Sequence, residues 1–190
     1  GPANPDIDLR LPLRQTLAPG ARVALADFPN VGAAPALRLD ATPGEPGKAA
    51  RDVVYSLPVD ERKFELGQGF HGGFSHGDTA NRYAVDLIVP EGTPVLAARA
   101  GVVTSTVSGY SEGGADPSLA GRANLVRVLH DDGSMALYAH LQEGGVLVKP
   151  GEAVGLGQQI GRAGSTGYSS GPHLHFAVQL NGGMRLVSIP

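Results

Sequence analysis

Six histidines stand at positions 71, 76, 130, 140, 173 and 175. The last two form His173-Leu174-His175 inside the apolar stretch His173-Leu174-His175-Phe176-Ala177-Val178. Residues two apart on a strand face the same side, so both imidazoles project together while Leu174 and Phe176 turn toward a core. Two protonated imidazoles side by side repel, so the pair suits at least one neutral ring bound to a cation. Asp86 makes the same demand from another part of the chain. It lies in Tyr83-Ala84-Val85-Asp86-Leu87-Ile88, where a carboxylate among apolar strand residues is costly unless paired or coordinating. No lysine or arginine falls in that run, and Arg82, four residues away at ~3.3 Å each, would stand about 13 Å off on an ideal strand.

His140 ends Tyr138-Ala139-His140-Leu141, on a strand that places it with Ser134, Ala136 and Tyr138 on one face. That strand follows Asp132-Gly133, a tight-turn signal because glycine accepts the positive φ such turns demand. A turn of two or four residues pairs His130 with Met135 and points it away from His140, whereas a three-residue turn reverses this. His130 is therefore read as structural. His71, in Gly69-Phe70-His71-Gly72-Gly73, has no partner signal and is set aside, while His76 stands just before the Asp86 strand and can reach back along it.

The elements that must position these groups are short β-branched runs cut by glycine, at 83–89, 102–107, 125–130, 135–141, 173–180 and 184–187. They predict an all-β fold with an antiparallel core. The hairpin-like Gly92-Thr93-Pro94-Val95 before Ala100-Gly101-Val102-Val103 is echoed by Gly151-Glu152-Ala153-Val154 before Gln159-Ile160-Gly161, so two similar hairpins are expected to face each other. Glycine- and serine-rich stretches at 108–123 and 161–172 exceed ordinary loop length and read as groove walls. Residues 1–63 carry frequent prolines that leave no room for helices of normal length. They read as a small β-rich subdomain or an extended arm, with a flexible stretch at 41–48.

The 190 residues suit one large domain or a domain with an appendage. Lys plus Arg number 15 against 18 Asp plus Glu, with no long run of either sign, so nucleic acid is not an expected partner. Zero cysteines exclude thiolate ligands and cysteine nucleophiles. Any metal must be held by His, Asp or Glu. No transmembrane segment or signal peptide is visible. The Gly1-Pro2 start reads as a protease-cleavage scar, with an export signal expected upstream of it in the natural chain.

Two neutral imidazoles and one carboxylate would leave Zn²⁺ with net charge +1 and an open coordination position, the layout of a catalytic rather than a structural site. Amide hydrolysis is the natural reaction, with uncoordinated imidazoles nearby to move protons and stabilise an oxyanion. The helix-borne His-Glu-x-x-His arrangement is absent.

The ordered set of His76, then Asn81-Arg82-Tyr83-Ala84-Val85-Asp86, then Tyr138-Ala139-His140-Leu141, then Gly164-Ser165-Thr166-Gly167 leading to Gly171-Pro172-His173-Leu174-His175-Phe176 closely resembles the LytM/lysostaphin-type (M23) zinc metallopeptidases. The resemblance covers roughly residues 64–187. It implies a duplicated-hairpin antiparallel core of lipoyl-like type with zinc on the floor of a groove, peptidoglycan peptides as substrate, and a periplasmic or extracellular location. By the same similarity, His76, Asp86 and His175 are expected as zinc ligands and His140 and His173 as the catalytic pair, within a peptidase domain at 64–190. One departure concerns the first ligand. The commonest pattern places it four residues before the aspartate, while His76 and Asp86 are ten apart, as in a subgroup with the Asn-Arg-Tyr-Ala insertion. His71 would be the substitute, and His76 fits that subgroup better.

Two other readings compete. A non-hydrolytic member of the fold would bind and regulate another cell-wall enzyme, but such proteins lose ligands and all five positions are filled here. A carrier or phosphotransfer module is opposed by Asp86, whose carboxylate would repel a phosphoryl group. Lys149-Pro150-Gly151 is also a poor lipoyl attachment site.

Overall fold

The computed structural model describes residues 42–60, 64–183 and 185–190, all within one compact unit, Ala41–Pro190. Most of the predicted N-terminal subdomain, residues 1–41 and 61–63, lies outside the described residues, as does Met184.

Twelve strands run through the described residues: β1 (Glu65–Gln68), β2 (Val85–Ile88), β3 (Pro94–Leu96), β4 (Gly101–Val107), β5 (Gly113–Gly114), β6 (Asn124–Leu129), β7 (Met135–Val146), β8 (Ala153–Val154), β9 (Gln159–Ala163), β10 (Gly167–Tyr168), β11 (His173–Asn181) and β12 (Leu186–Ile189). The only helical element among them is a 3-10 turn at Pro117–Leu119. The main sheet is antiparallel, ordered β1-β2-β11-β7-β6-β4-β8, with β12 on β11 and β9 joining β3 to β7. The echoed hairpins do face each other, for β3 pairs with β9 and β4 with β8. The two glycine-rich stretches also meet, because β5 from one pairs in parallel with β10 from the other.

Alternation sorts the strands onto two faces. Val126, Val128, Ala136, Tyr138, Leu87 and Leu174 turn to the main core, while Ala84, Leu137, Ala139 and Ala177 form a second small cluster on the other side. Large core side chains contribute roughly 1.5–3 kcal/mol each on burial. Buried Tyr138 also satisfies its hydroxyl, which accepts from the Ala98 backbone N–H at 2.8 Å. The described part of the N-terminal stretch, 42–60, forms no strand and packs on the sheet, with Val59 inside the core and Tyr55 against it.

The β6–β7 hairpin is closed by three residues. Leu129 pairs with Met135, the His130 N–H donates to the Ser134 carbonyl at 2.9 Å, and Gly133 takes φ 88°. This is the turn length that puts His130 on the face of Ser134, Ala136 and Tyr138. His130 is nevertheless remote from His140 in role. Its Nδ1 donates to the Ala100 carbonyl at 2.9 Å, and its ring packs edge-on against Tyr55 with centroids 5.4 Å apart.

His140 is where the expected alternation fails. Asn124 pairs with Leu141 and Leu125 with Ala139, so His140 is an extra residue in β7, and its φ is 62°. A β-bulge of this kind re-aims one side chain. It lets Tyr138 and Leu141 both stay in the core and frees His140 from the face of Ser134, Ala136 and Tyr138.

Candidate metal centre

Three adjacent strands build the floor of the site. On β11, Leu174 is in the main core, so His173 and His175 emerge on the opposite face, as period-two geometry requires. β2 lies beside β11 with Asp86 opposite His175, and β7 lies on the other side with Ala139 opposite His175. His76 enters from the loop between β1 and β2. It is 1% exposed, Asp86 8% and His175 6%.

The three polar atoms converge. His76 Nε2 is 3.1 Å and His175 Nδ1 2.9 Å from Asp86 Oδ1, and the two nitrogens are 3.3 Å apart. Each ring is oriented from behind: His76 Nδ1 is 2.8 Å from the Gly69 carbonyl and His175 Nε2 is 3.1 Å from Asn81 Oδ1. A carbonyl oxygen can only accept, so the outer nitrogen of each ring carries the proton and the inner one presents its lone pair. Two lone pairs and a carboxylate oxygen then face one another in a buried space. That donor set fits a divalent cation held by nitrogen and oxygen.

In the ion-free chain, Asp86 draws positive charge to this point. Burial works to raise the Asp86 pKa, but in the ion-free chain the neighbouring His175 and His76 rings, when protonated, outweigh it and hold the carboxyl well below the usual range. Burial opposes a charge on His76, yet the Asp86 and Gly69 hydrogen bonds and the Asp86 and Asp78 charges raise its pKa.

His140 and His173 flank this cluster, with ring centroids 4.6 Å apart. Nδ1 of His140 donates to the Thr166 carbonyl at 2.7 Å and Nδ1 of His173 to the Gly171 carbonyl at 2.8 Å, which leaves Nε2 as the free nitrogen in each neutral ring. His173 Nε2 is 3.8 Å from Asp86 Oδ1. Burial, followed by the neighbouring His173, pushes His140 down to about 4. His71 stays outside, exposed and edge-on to Tyr83 at 5.1 Å.

Several supporting residues have no individual role that their type or spacing announces. Gln68 Nε2 donates to Asp86 Oδ2 at 2.9 Å. Thr166 Oγ accepts from Asn124 N at 3.0 Å and donates to the Leu141 carbonyl at 2.7 Å, which secures the loop carrying the His140 acceptor. Asn81 was part of the quoted motif, but nothing in its type marked it as a partner of His175. Above the floor, Phe74 and Tyr168 stack with centroids 4.6 Å apart, joining the loop that carries His76 to the one that precedes His173.

The fold and this cluster define an all-β protein with a His/Asp constellation whose donor atoms lie close enough together to hold a metal ion. Residues 80–185 match peptidase family M23, and the chain belongs to that family. It is 32% identical over 167 residues to the peptidoglycan DD-endopeptidase ShyC of Vibrio cholerae, covering 84% of this chain and 35% of that protein. It is 36% identical over 115 residues to lysostaphin of Staphylococcus staphylolyticus, covering 60% of this chain and 20% of lysostaphin. Among solved structures, a zinc-containing peptidase from Vibrio cholerae superposes with TM-score 0.52 at 29% identity, over 70% of this chain and 38% of that one. The catalytic domain of the prophage-encoded M23 protein EnpA from Enterococcus faecalis superposes with TM-score 0.53 at 25% identity, over 71% of this chain and 93% of that domain. The chain thus spans about a third or less of the length of these curated relatives. Among the described residues, no helix is long and apolar enough to cross a membrane.

Proposed function

We propose that this chain is a zinc-dependent endopeptidase that hydrolyses peptide crosslinks or bridges of bacterial peptidoglycan, acting in the periplasm or outside the cell. The carrying observation is the convergence of His76 Nε2, Asp86 Oδ1 and His175 Nδ1, with two further imidazoles at its edge. The substrate class follows the named activity of relatives such as ShyC.

In this reading His76, Asp86 and His175 hold the ion. When bound, zinc supplies Lewis acidity toward the scissile carbonyl and lowers the pKa of a coordinated water toward about 7. His140 and His173 move protons. A depressed pKa keeps His140 neutral at ordinary pH, so its Nε2 is available to accept the proton of the attacking water. The protonated ring can then return that proton to the leaving amine. His173, anchored through Nδ1 to the Gly171 carbonyl, directs Nε2 toward the same space, where a hydrogen on that nitrogen would steady the developing oxyanion. Anchoring both rings on backbone carbonyls limits the reorganisation needed at the moment of reaction.

Metal analysis followed by digestion of purified peptidoglycan, with and without chelator, tests the proposal. One zinc per chain and chelator-sensitive release of muropeptides are expected. Zinc binding without any release would favour a regulatory member of the fold, and absence of bound metal would contradict both the cofactor and the mechanism.

A further inference from the structure

We infer that Asn81 and Gln68 are positioning residues that set the donor atoms of the metal centre, and that the long spacing between His76 and Asp86 exists to carry the first of them. The inference rests on the metallopeptidase reading above.

Each amide is fixed by a second partner, so its orientation is not free. Asn81 Nδ2 donates to Asp78 Oδ2 at 2.8 Å. A carboxylate only accepts, so the amide nitrogen must face Asp78 and Oδ1 must face His175. Asp78 is itself tied into the turn, since Oδ1 accepts from the backbone N–H of Ala80 at 2.7 Å and of Asn81 at 3.1 Å. Asn81 Oδ1 can therefore only accept from His175 Nε2, which puts the proton on Nε2 and the lone pair on Nδ1, the atom beside Asp86 Oδ1.

Gln68 works on the opposite side. Its Oε1 accepts from the Phe74 backbone N–H at 2.9 Å, which forces Nε2 toward Asp86 Oδ2 and toward Ser75 Oγ, each at 2.9 Å. Oδ2 is thereby engaged by a donor and Oδ1 is left to the cluster, making Asp86 a one-oxygen ligand. Space has been kept for this arrangement, because a Cβ on Gly72 would fall on the Gln68 side chain. Partners of this type orient metal ligands and tune their basicity.

Both amides come from the segments around His76. Asp78 and Asn81 lie within the ten-residue interval between His76 and Asp86, and an interval of four would have no room for them and their turn.

Zinc affinity of the purified chain, measured by competition with a chromophoric chelator, tests the inference with a readout other than cleavage. Asn81→Leu, which removes the acceptor at similar size, should weaken zinc binding about 10–100-fold. The exchange Asp78→Asn with Asn81→Asp, which keeps an acceptor oxygen toward His175 and a donor–acceptor pair between the two side chains, should stay close to wild type. Gln68→Leu should weaken binding by the same order as Asn81→Leu. Zinc-free unfolding curves should show each variant folded at the assay temperature, which separates affinity from folding. Wild-type affinity in Asn81→Leu or Gln68→Leu, or equal weakening in Asn81→Leu and the Asp78/Asn81 exchange, would overturn the inference while leaving the peptidase reading standing. A wild-type chain that takes up no zinc would remove both.

Discussion

Nδ1 of His140 donates to the Thr166 carbonyl across 2.7 Å, from a residue that holds φ 62° in the middle of β7. A non-glycine residue in that region costs of order 1–3 kcal/mol and persists only where its surroundings impose it. Here Asn124 and Thr166 do so. The Asn124 side chain bonds the Tyr110, Leu141 and Gln142 carbonyls, and Thr166 Oγ bridges Asn124 N and the Leu141 carbonyl. Thr166→Val removes that bridge inside the protein and should cost about 1–3 kcal/mol of stability, the usual penalty for stranding buried polar groups. Denaturant unfolding reads that cost. Peptidoglycan digestion should show a lower kcat with zinc content retained, because the loop carrying the carbonyl that anchors His140 loses its support while the three proposed ligands keep theirs.

The two histidines of His173-Leu174-His175 should separate cleanly. His173→Ala should lower cleavage about 10²–10⁴-fold, the usual contribution of a positioned acid or base, while zinc stays bound. His175→Ala should lose both activity and zinc. Zinc loss in His173→Ala with zinc retained in His175→Ala, measured by metal analysis after dialysis, would mean their roles are exchanged, and equal loss in the two would make both of them ligands.

Gly72→Ala offers an independent route to the Gln68 contact, since the new Cβ must displace the Gln68 side chain. Chelator competition should show weaker zinc binding in the same direction as Gln68→Leu. An unchanged affinity would mean that Asp86 is oriented without help from Gln68.

A pH effect on stability is expected far from the site. Arg99 Nη1 donates to Asp132 Oδ2 at 2.8 Å, and Asp132 Oδ1 accepts from Ser134 Oγ at 2.6 Å and Ser134 N at 3.1 Å. Burial works against the Asp132 charge, but the Arg99 and Ser134 hydrogen bonds prevail and hold its pKa well below the ordinary value. The linked stability is therefore fully present above the unfolded-state pKa of about 4 and is lost as pH falls toward the lower folded-state value. Thermal unfolding of wild type should decline through that acid range, and Asp132→Asn should start lower at pH 7 and decline less. The segment at 51–55 shares this clasp, because Arg51 Nη2 donates to Asp131 Oδ2 at 2.6 Å and Arg51 N to Asp132 Oδ2 at 3.1 Å.

The legible part of the site is the part governed by alternation. Asp86 stood out as a charge among apolar strand residues, and His173 and His175 as two polar groups on one face of an apolar strand. The paired hairpins were legible because their sequences echo each other. His140 was legible as a residue but not in its orientation, because a bulge depends on what Asn124 and Thr166 bond across the sheet and leaves no mark in the periodicity of β7. Gln68 and Asn81 were silent for a related reason. A neutral amide on a loop looks the same whether it faces water or a ligand, and only the three-dimensional position of its partners decides.

Anomalous scattering from zinc-loaded crystals is the most direct test of the central claim. A single zinc bound by His76 Nε2, Asp86 Oδ1 and His175 Nδ1 is expected, with His140 and His173 outside the protein ligand set. A zinc held instead by His71, His140 or His173, or no zinc between Asp86 and His175, would contradict it.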